Sequence, residues 1–495
     1  MTELRARVAA PSYDAIVVGA GPNGLAAAIA LGHAGLAVLV VEAGPTIGGG
    51  ARSAERTLPG FVSDVCSAIH PTAFASPFFR TLPLGAHGVE WIQPDAPLAH
   101  PLDGGHVAVL ERDLDAMRAR LGDDDADAWK TLFSPLIDAG EPLFDDLLAP
   151  LRVPTDPFAL AGFGLSAMQS ASGLARGRFR GVPAQALLAG CAAHSVLPLE
   201  RAFSAAFALV LALAGHRIGW PFPRGGSQRL VDALAAIARA AGVEIVTDHV
   251  VTTLAEVPDA RAILFDTTPG AMARIAGDVL PASYRARLAK FRFGPGVFKV
   301  DWALDGPIPW KNQACMRAAT VHVGGTLDEI AASERACWQG ELIERPFVLV
   351  AQQSVFDPTR APAGKHVGWA YCHVPSRSTV DATDRIESQI ERFAPGFRER
   401  ILARATITPA QLEAYDANYV GGDITGGANV VDQLFTRPVA AAVPYATPNP
   451  RLFLCSSSTP PGGGVHGMCG WFAARAALSR VFGRAVGRDP QPVAE

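Results

Sequence analysis

Three glycines near the start of the chain have the spacing of a dinucleotide-binding turn. Gly19, Gly21 and Gly24 follow the apolar segment Ile16–Val18 and open a helix-forming stretch rich in alanine. In such a strand–turn–helix unit the first glycine permits a tight turn, the second leaves room for a pyrophosphate, and the third lets the helix pack close to the sheet. The N–H groups at the start of the helix favour negative charge. The spacing therefore predicts that this turn binds the pyrophosphate of an adenine dinucleotide.

Glu42 ends the apolar run Ala37–Val41, which has the character of a buried parallel strand. A carboxylate at this point accepts hydrogen bonds from ribose hydroxyls and repels a 2′-phosphate, which favours an unphosphorylated ribose. The intervening segment Leu25–His33 has the small residues of a helix packed on a sheet, and Gly35 is a suitable C-cap. The alternative is a βαβ unit with an incidental glycine turn. The helix, the strand and the acid at the expected spacing favour the dinucleotide site.

A second glycine run, Gly48–Arg52, follows shortly after Glu42. Consecutive glycines let a ligand approach the backbone closely, and the arginine offers a cation to the second phosphate. A flexible surface loop is the alternative, but the nearby glycine turn favours contact with the cofactor.

The C-terminal segment Gly462–Gly467 repeats the G-x-G-x-x-G spacing between an apolar strand and the predicted helix Gly470–Arg480. Because no second strand or acidic residue follows, the segment is a poor second dinucleotide site. A helix N-terminus can instead stabilise a nearby negative charge, such as that of a reduced flavin, by roughly 0.3–2 kcal/mol. The alternative is a glycine-rich hairpin. His466 would lie beside the flavin, where a histidine acts as a base, tunes the ring or has a structural role.

Composition limits the classes of function. The 495 residues are 49% hydrophobic and carry a net charge of −4, which gives no indication of a nucleic-acid partner. The seven cysteines include no C-x-x-C pair. Their spacing argues against a disulfide scaffold, a metal site or a dithiol redox centre and favours buried thiols in the cytoplasm. Since no G-x-S-x-G, H-E-x-x-H or P-loop motif occurs, the chemistry must come mainly from a cofactor.

The longest strongly apolar stretch after the first βαβ unit is Ala202–Gly215. It is shorter than the roughly 20 residues that span a bilayer. Its central part, Phe203–Leu213, could line a tunnel, touch a membrane surface or form a buried helix, and its length and composition favour the buried helix. Residues Met1–Pro11 lack the apolar core of a secretory signal and are expected to form a short disordered lead-in.

These patterns predict an α/β fold with two domains. Residues 1–110, 221–290 and 444–495 would form a discontinuous Rossmann-like domain for the cofactor, and residues 111–220 and 291–443 a substrate domain of helices and a mixed sheet. In the substrate domain, antiparallel pairing is expected among the strand-like stretches Gly296–Leu304, Phe347–Gln352 and His366–His373.

Further motifs lie in the middle and at the end of the chain, at residues Pro223–Gly226, Phe356–Lys365, Asn418–Ile424 and Ser458–Gly467. Together with the first glycine turn, they resemble the phytoene (carotenoid) desaturase branch of the two-domain FAD oxidoreductases. Within it the chain is most similar to the subgroup named pyridine nucleotide-disulfide oxidoreductase domain-containing protein 2, of which Thr267–Pro269 is also typical. The resemblance covers nearly the whole chain. The disulfide part of the subgroup's name finds no support in a redox C-x-x-C pair.

The resemblance implies FAD as the cofactor, with the pyrophosphate at the first glycine turn, the ribose at Glu42, adenine near Val251 and the flavin ring at the C-terminal glycine segment. The second glycine run ends in Gly49-Gly50-Ala51-Arg52 and is one residue longer than the Gly-Gly-Arg usual in the family. The cofactor-binding residues implied are Gly19, Gly21, Pro22, Asn23, Gly24, Glu42, Ala43, Gly49, Gly50, Ala51, Arg52, Val251, Thr268, Gly464, Val465, Gly467 and Met468.

The resemblance also implies a dehydrogenase or desaturase that takes hydride from a C–C or C–N bond of a hydrophobic substrate such as an isoprenoid or lipid. Oxygen or a quinone would accept the electrons, and a peripheral membrane contact is left open. A flavin amine oxidase is the first alternative. Such enzymes often place aromatic residues over the flavin ring, and Trp471 and Tyr445 are candidates for this position. A monooxygenase is disfavoured because Ser457–Pro460 replaces the usual Gly-Asp pair. A non-catalytic interaction protein of the same fold is the last alternative, and the intact glycines and Glu42 favour retained FAD over it.

Overall fold

The fold is taken from a computed structural model that describes Leu4, Val8, residues 12–485, Gly487 and residues 489–491. Apart from Leu4 and Val8, the expected lead-in Met1–Pro11 lies outside the described residues. No helix in the described ranges has the length and apolar character needed to cross a bilayer.

The strands are numbered in chain order. They are β1 Ser12–Val18, β2 Val38–Val41, β3 Ser53–Glu55, β4 Val62–Asp64, β5 Trp91–Ile92, β6 Ala96–Pro101, β7 Val107–Leu110, β8 Phe222–Pro223, β9 Glu244–Val246, β10 Asp259–Phe265, β11 Gly296–Leu304, β12 Ala318–Val323, β13 Val348–Ala351, β14 His366–Val374, β15 Ile401–Ile407 and β16 Leu452–Leu454.

The α-helices are numbered in the same way. They are α1 Pro22–His33, α2 Pro71–Ala75, α3 Arg118–Leu121, α4 Asp123–Asp138, α5 Gly140–Leu147, α6 Pro157–Ala167, α7 Ala171–Arg178, α8 Val182–Ala193, α9 Ser204–Arg217, α10 Gln228–Ala240, α11 Pro269–Ala276, α12 Ala282–Leu288, α13 Leu327–Trp338, α14 Thr383–Phe393, α15 Pro409–Tyr415, α16 Val431–Leu434 and α17 Met468–Phe482.

The first sheet collects strands from three distant parts of the chain. Its order is β16-β10-β1-β2-β9, and every neighbouring pair is parallel. The four residues of β2 are all buried, as expected for a strand covered on both faces. The predicted α/β fold with a discontinuous Rossmann-like sheet is therefore confirmed.

The second sheet has seven strands in the order β15-β11-β14-β13-β12-β6-β7. Its pairs are antiparallel except for β6 and β12, which run parallel, so the sheet is mixed. The antiparallel pairing expected among the three stretches that form β11, β13 and β14 is confirmed. Strands β6 and β7 lie within the predicted first domain, residues 1–110, but belong to this sheet. That boundary is corrected, because β6 places Leu98 and Ala99 opposite Thr320 and Val321 of β12. The other domain boundaries stay predictions.

Helices α1 and α17 pack against each other and bring the two ends of the chain together. A Cβ on Gly470 would lie 1.8 Å from the carbonyl oxygen of Asn23, so only a glycine permits this approach. Helix α9 contains most of the apolar stretch Phe203–Leu213. One side of it is buried in the core through residues such as Leu209 and Leu213, and another side faces a large cavity.

Candidate functional site

One cavity of about 2370 Å³ joins the first glycine turn to the C-terminal glycine segment. Its first part lies at the carboxyl ends of β1, β2 and β10, where ligands of open α/β sheets bind. Its second part extends between α9 and the inner face of the second sheet. Pockets for drug-sized ligands usually measure about 300–1,000 Å³, so this cavity has room for a dinucleotide and a second ligand.

Most of the sequence-predicted cofactor residues line this cavity. Those that do are Gly19, Gly21, Pro22, Asn23, Glu42, Ala43, Gly49, Gly50, Ala51, Arg52, Val251, Gly464 and Val465, together with His466. Four others lie behind the wall: Gly24, Thr268, Gly467 and Met468. Thr268 caps α11, where its hydroxyl accepts a hydrogen bond from the Ala271 N–H at 3.1 Å, and its neighbour Thr267 reaches the cavity instead.

The first glycine turn has the shape that the spacing predicts. Gly19 has a φ of +106°, in the region that favours glycine. A Cβ on Gly24 would lie 2.2 Å from the Gly19 carbonyl oxygen. Helix α1 therefore starts directly under the turn, with Gly21 as its N-cap and Pro22 in its first turn.

The carboxylate of Glu42 is held in place by two backbone N–H groups, one from the first glycine turn and one from the residues directly after Glu42. Its Oε2 accepts a hydrogen bond from the Ala20 N–H at 2.7 Å, and its Oε1 accepts one from the Gly44 N–H at 2.8 Å. The Arg52 guanidinium lies 3.6 Å from Oε1 and above the ring of Tyr415. Contact of Glu42 with a ribose stays a prediction; its contacts within the protein fix its orientation toward the cavity.

The C-terminal glycine segment forms the opposite wall. Gly464 has a φ of +126°, and Gly467, with a φ of +69°, is the N-cap of α17. A Cβ on Gly467 would lie 2.5 Å from the ring of Phe79, so this glycine is required by packing. Gly464 and Val465 present the segment's backbone to the cavity, close to the positive end of the α17 dipole.

His466 is fully buried, and one of its ring nitrogens has no partner among the described residues. Nδ1 accepts a hydrogen bond from the Met468 N–H at 3.1 Å, which leaves the proton of the neutral ring on Nε2. Burial lowers the pKa of His466 to about 4. The side chain is therefore neutral near pH 7 and suited to donate a hydrogen bond from Nε2 rather than to hold a proton.

The second part of the cavity has apolar and aromatic walls. Phe207, Val210 and Leu211 of α9 face the sheet across it. On the sheet, Leu349 of β13 lies directly opposite Tyr371 of β14. The rings of Trp369 and Tyr371 stack with centroids 5.9 Å apart. This part of the cavity suits an apolar ligand.

A histidine that the sequence analysis missed, His194, also lines this part of the cavity. Its Nε2 lies 3.0 Å from Nε2 of His322 on β12, and His100 of β6 lies beside His322 because the two strands are paired. Burial lowers the pKa of His194 to about 3, and the nearby His373 adds to this effect. No motif marks the group, because the pairing of β6 with β12 brings His100 to His322, and the packing of α8 on the sheet brings His194, which caps the end of that helix.

A second missed residue, Asp266, follows β10 and lies beneath the first glycine turn. Its Oδ2 accepts a hydrogen bond from the Gly24 N–H at 2.8 Å. Burial raises the pKa of the Asp266 carboxyl to about 7, with smaller contributions from Asp416 and Glu42. The sequence did carry a signal for this residue, because Asp266 ends an apolar strand and directly precedes the Thr267–Pro269 motif.

Comparisons with known proteins agree with this architecture. Residues 17–82 match the family described as NAD(P)-binding Rossmann-like domain. This part of the chain has a Rossmann-like fold and is similar to nucleotide-binding domains. Across 94% of its length the chain is 27% identical to pyridine nucleotide-disulfide oxidoreductase domain-containing protein 2 of Rattus norvegicus, of which 93% is covered.

Solved structures share the whole fold at low sequence identity. An oxidoreductase from Methanosarcina mazei superposes with a TM-score of 0.62 at 16% identity, covering 94% of this chain and 99% of that one. A putrescine oxidase variant from a redesign of cofactor binding superposes with a TM-score of 0.59 at 17% identity, covering 94% of this chain and 98% of that one. The two-sheet fold is thus one that known oxidoreductases adopt.

Proposed function

We propose that the protein is an FAD-dependent oxidoreductase that takes hydride from a C–C bond of a hydrophobic substrate, as a dehydrogenase or desaturase does. The observation that carries the proposal is the single cavity that runs from the dinucleotide turn to an apolar chamber. The full-length relative named an oxidoreductase supports the reaction class. The motifs shared with carotenoid desaturases support the choice of bond and of an isoprenoid or lipid substrate, with oxygen or a quinone as acceptor.

The residues of the first part of the cavity fit FAD. Three buried polar atoms on the wall have no partner within the described residues: Asn23 Oδ1, Arg52 Nε and His466 Nε2. Buried polar atoms without partners are rare in folded proteins, and a polar ligand between them would satisfy all three. The glycines at both ends leave its phosphates and ring system room against the backbone.

Each group has a distinct part in holding the cofactor, which supplies the hydride acceptor when bound. The start of α1 and Arg52 bind the pyrophosphate, and Glu42 binds the adenosine ribose. Gly464 and Val465 place backbone groups and the α17 dipole at the flavin ring, where they stabilise negative charge. Neutral His466 donates a hydrogen bond from Nε2. The walls from α9 and the sheet would exclude water and orient an apolar substrate toward the flavin ring.

A peripheral membrane contact is supported by a patch at the rim of the cavity, at residues Leu151, Val153, Phe158, Leu165 and Met168. The exposed fractions of Phe158 and Leu165 on α6 are 90% and 69%, and Leu151, which also lines the cavity, is 78% exposed. No charged residue occurs between Asp156 and Arg176. The apolar stretch Phe203–Leu213 does not have this role, because α9 lies in the core and the cavity wall. Entry of a lipid-like substrate from a bilayer fits the position of the patch.

An amine oxidase is the second candidate function. The stacked pair Trp369 and Tyr371 on the cavity floor favours it, as does the shared fold with putrescine oxidase. Of the two aromatic residues singled out from the sequence, Tyr445 lines the cavity, and its hydroxyl donates a hydrogen bond to the Pro460 carbonyl oxygen at 2.9 Å. Trp471 packs edge-on against Phe472 instead. The monooxygenase has no specific observation in its favour. The non-catalytic interaction protein is favoured only by a shared fold with RAB GDI from Plasmodium falciparum.

Anaerobic reduction of the flavin tests the proposal. The holoprotein is mixed with isoprenoids and lipids in detergent micelles and, separately, with primary and secondary amines, and the absorbance of the oxidised flavin is followed. We expect bleaching by an apolar substrate and not by amines. If only amines bleach the flavin, the proposed oxidation of a C–C bond is wrong and the protein is an amine oxidase. A holoprotein that no compound and no chemical hydride donor reduces would favour a non-catalytic role.

A further inference from the structure

The carboxyl group of Asp266 lies where a dinucleotide-binding helix receives its phosphate. Helix α1 begins Gly21-Pro22-Asn23-Gly24, and proline has no N–H to offer. The Gly24 N–H donates to Asp266 Oδ2 at 2.8 Å. A Cβ on Gly21 would lie 2.7 Å from the same oxygen, so the carboxyl fills the space beneath the turn. Of the donors in this first turn, the Asn23 N–H is left for a ligand.

The backbone of Asp266 holds its side chain in this position. Its N–H donates to the Val18 carbonyl oxygen at 2.8 Å, which continues the pairing of β10 with β1. Its carbonyl oxygen accepts a hydrogen bond from the Asn418 amide at 3.1 Å. Since both backbone groups are bonded, the Cα of Asp266 is fixed at the sheet edge, within reach of the turn.

The charged and titratable groups that face Asp266 come from every neighbouring element. They are Glu42 after β2, Asp416 after α15, Cys455 after β16 and Cys469 in α17. Arg52 is the nearby cation, and it acts on Asp416 and pairs with Glu42. With acids in excess and little water, burial raises the pKa of the Asp266 carboxyl to about 7.

On this geometry, and resting on the proposed function, we propose that Asp266 is a cofactor-binding residue that meets the pyrophosphate of FAD as a carboxylic acid. An ionised carboxylate and a pyrophosphate are both anions and compete for the same helix start. The protonated group has no such conflict. Its Oδ2 keeps the Gly24 N–H, and its O–H donates to a phosphate oxygen.

Binding of FAD is therefore coupled to uptake of one proton. Below its pKa, Asp266 already carries the proton, and affinity does not depend on pH. Above it, the proton must be taken up from solvent, and the apparent dissociation constant rises by up to about tenfold per pH unit. Asp266→Asn presents a neutral side chain at all pH values and keeps an oxygen for the Gly24 N–H.

Equilibrium release of FAD tests this inference. The holoprotein is diluted at several values between about pH 6 and about pH 9, and free FAD is measured by its fluorescence. For the wild type we expect the dissociation constant to rise above about pH 7, and for Asp266→Asn to stay constant. Titration calorimetry in two buffers of different ionisation enthalpy counts the protons: about one taken up by the wild type at about pH 8, and none by the variant.

Asp416→Asn is the matched variant, because Asp416 is a second buried carboxyl at the cavity wall whose pKa is raised by burial. It should keep the slope of the wild type, with the onset moved to lower pH, because the Asp416 charge helps to raise the pKa of Asp266. A pH-independent wild type, an unchanged slope in Asp266→Asn, or a slope lost only in Asp416→Asn would each overturn the role of Asp266. A folded protein that binds no FAD at any pH would instead overturn the proposed function.

Discussion

Gly470 in the last helix lies against the carbonyl oxygen of Asn23 in the first helix. A Cβ at position 470 would come within 1.8 Å of that oxygen and 2.9 Å of the Ala27 nitrogen. Both of the nearest contacts are backbone atoms, so neither can rotate away. This approach sets the C-terminal glycine segment opposite the first glycine turn, across the cavity that both segments line.

Replacing this glycine should separate the two helices. We expect Gly470→Ala to lower the free energy of unfolding by about 1–3 kcal/mol, the usual cost of overpacking, and to weaken retention of FAD. Urea unfolding and flavin content measure the two effects. Gly162→Ala in α6 is the matched control, since nothing lies within 4 Å of its Cβ position. It should leave the flavin content unchanged. Equal stability of both variants would contradict the close packing of α1 on α17.

The protein should lose stability as the pH falls from about 6.5 toward 4, because several buried histidines are neutral in the fold. Their folded pKa values lie below the value of 6.5 for an ordinary histidine: about 4 for His70, His100, His216 and His466, and about 3 for His194. In this window the unfolded chain binds more protons than the folded one, so each group destabilises the fold by up to about 1.4 kcal/mol per pH unit.

Urea midpoints measured across this pH range check the effect. We expect His100→Gln to reduce the slope of stability against pH, because one proton-linked group is removed. The exposed His87 provides the control, and His87→Gln should keep the wild-type slope. Stability that does not change between about pH 6.5 and about pH 4 would show that the buried rings are not neutral in the fold.

Phe158→Ser combined with Leu165→Ser should weaken binding to lipid vesicles by more than about tenfold, since each apolar side chain contributes roughly 1.5–3 kcal/mol when buried. Cosedimentation with vesicles of phosphatidylcholine and phosphatidylglycerol measures the bound fraction. Val279→Ser changes an exposed apolar residue outside the patch, 51% exposed, and should bind as the wild type does. Equal binding of all three proteins would show that the patch at the cavity rim does not contact the bilayer.

The first βαβ unit could be predicted from sequence because its signals are local. Gly19, Gly21, Gly24 and Glu42 lie within one supersecondary unit, and each has a conformational or electrostatic reason for its position. The C-terminal glycine segment was also placed correctly opposite it, since a strand, a glycine turn and a helix follow one another there as well. The observed helix, Met468–Phe482, begins two residues before the predicted one.

The missed features depend on contacts between distant segments. Asp266 meets Gly24 across 242 residues, and His194 meets His322 across 128. Strands β6 and β7 were assigned to the first domain because short apolar runs carry no information about the sheet they join. Their pairing is decided by β12, more than 200 residues later. Sequence patterns therefore predicted the part of the cavity at the first glycine turn better than the part between α9 and the second sheet.

The central claim is that the two ends of the chain together hold one FAD. Its most direct test is the amount of FAD released when the purified, folded protein is denatured, measured by chromatography against the protein concentration. The account predicts one FAD per chain, either as purified or after incubation with FAD. A folded protein that contains no FAD and takes up none would contradict it.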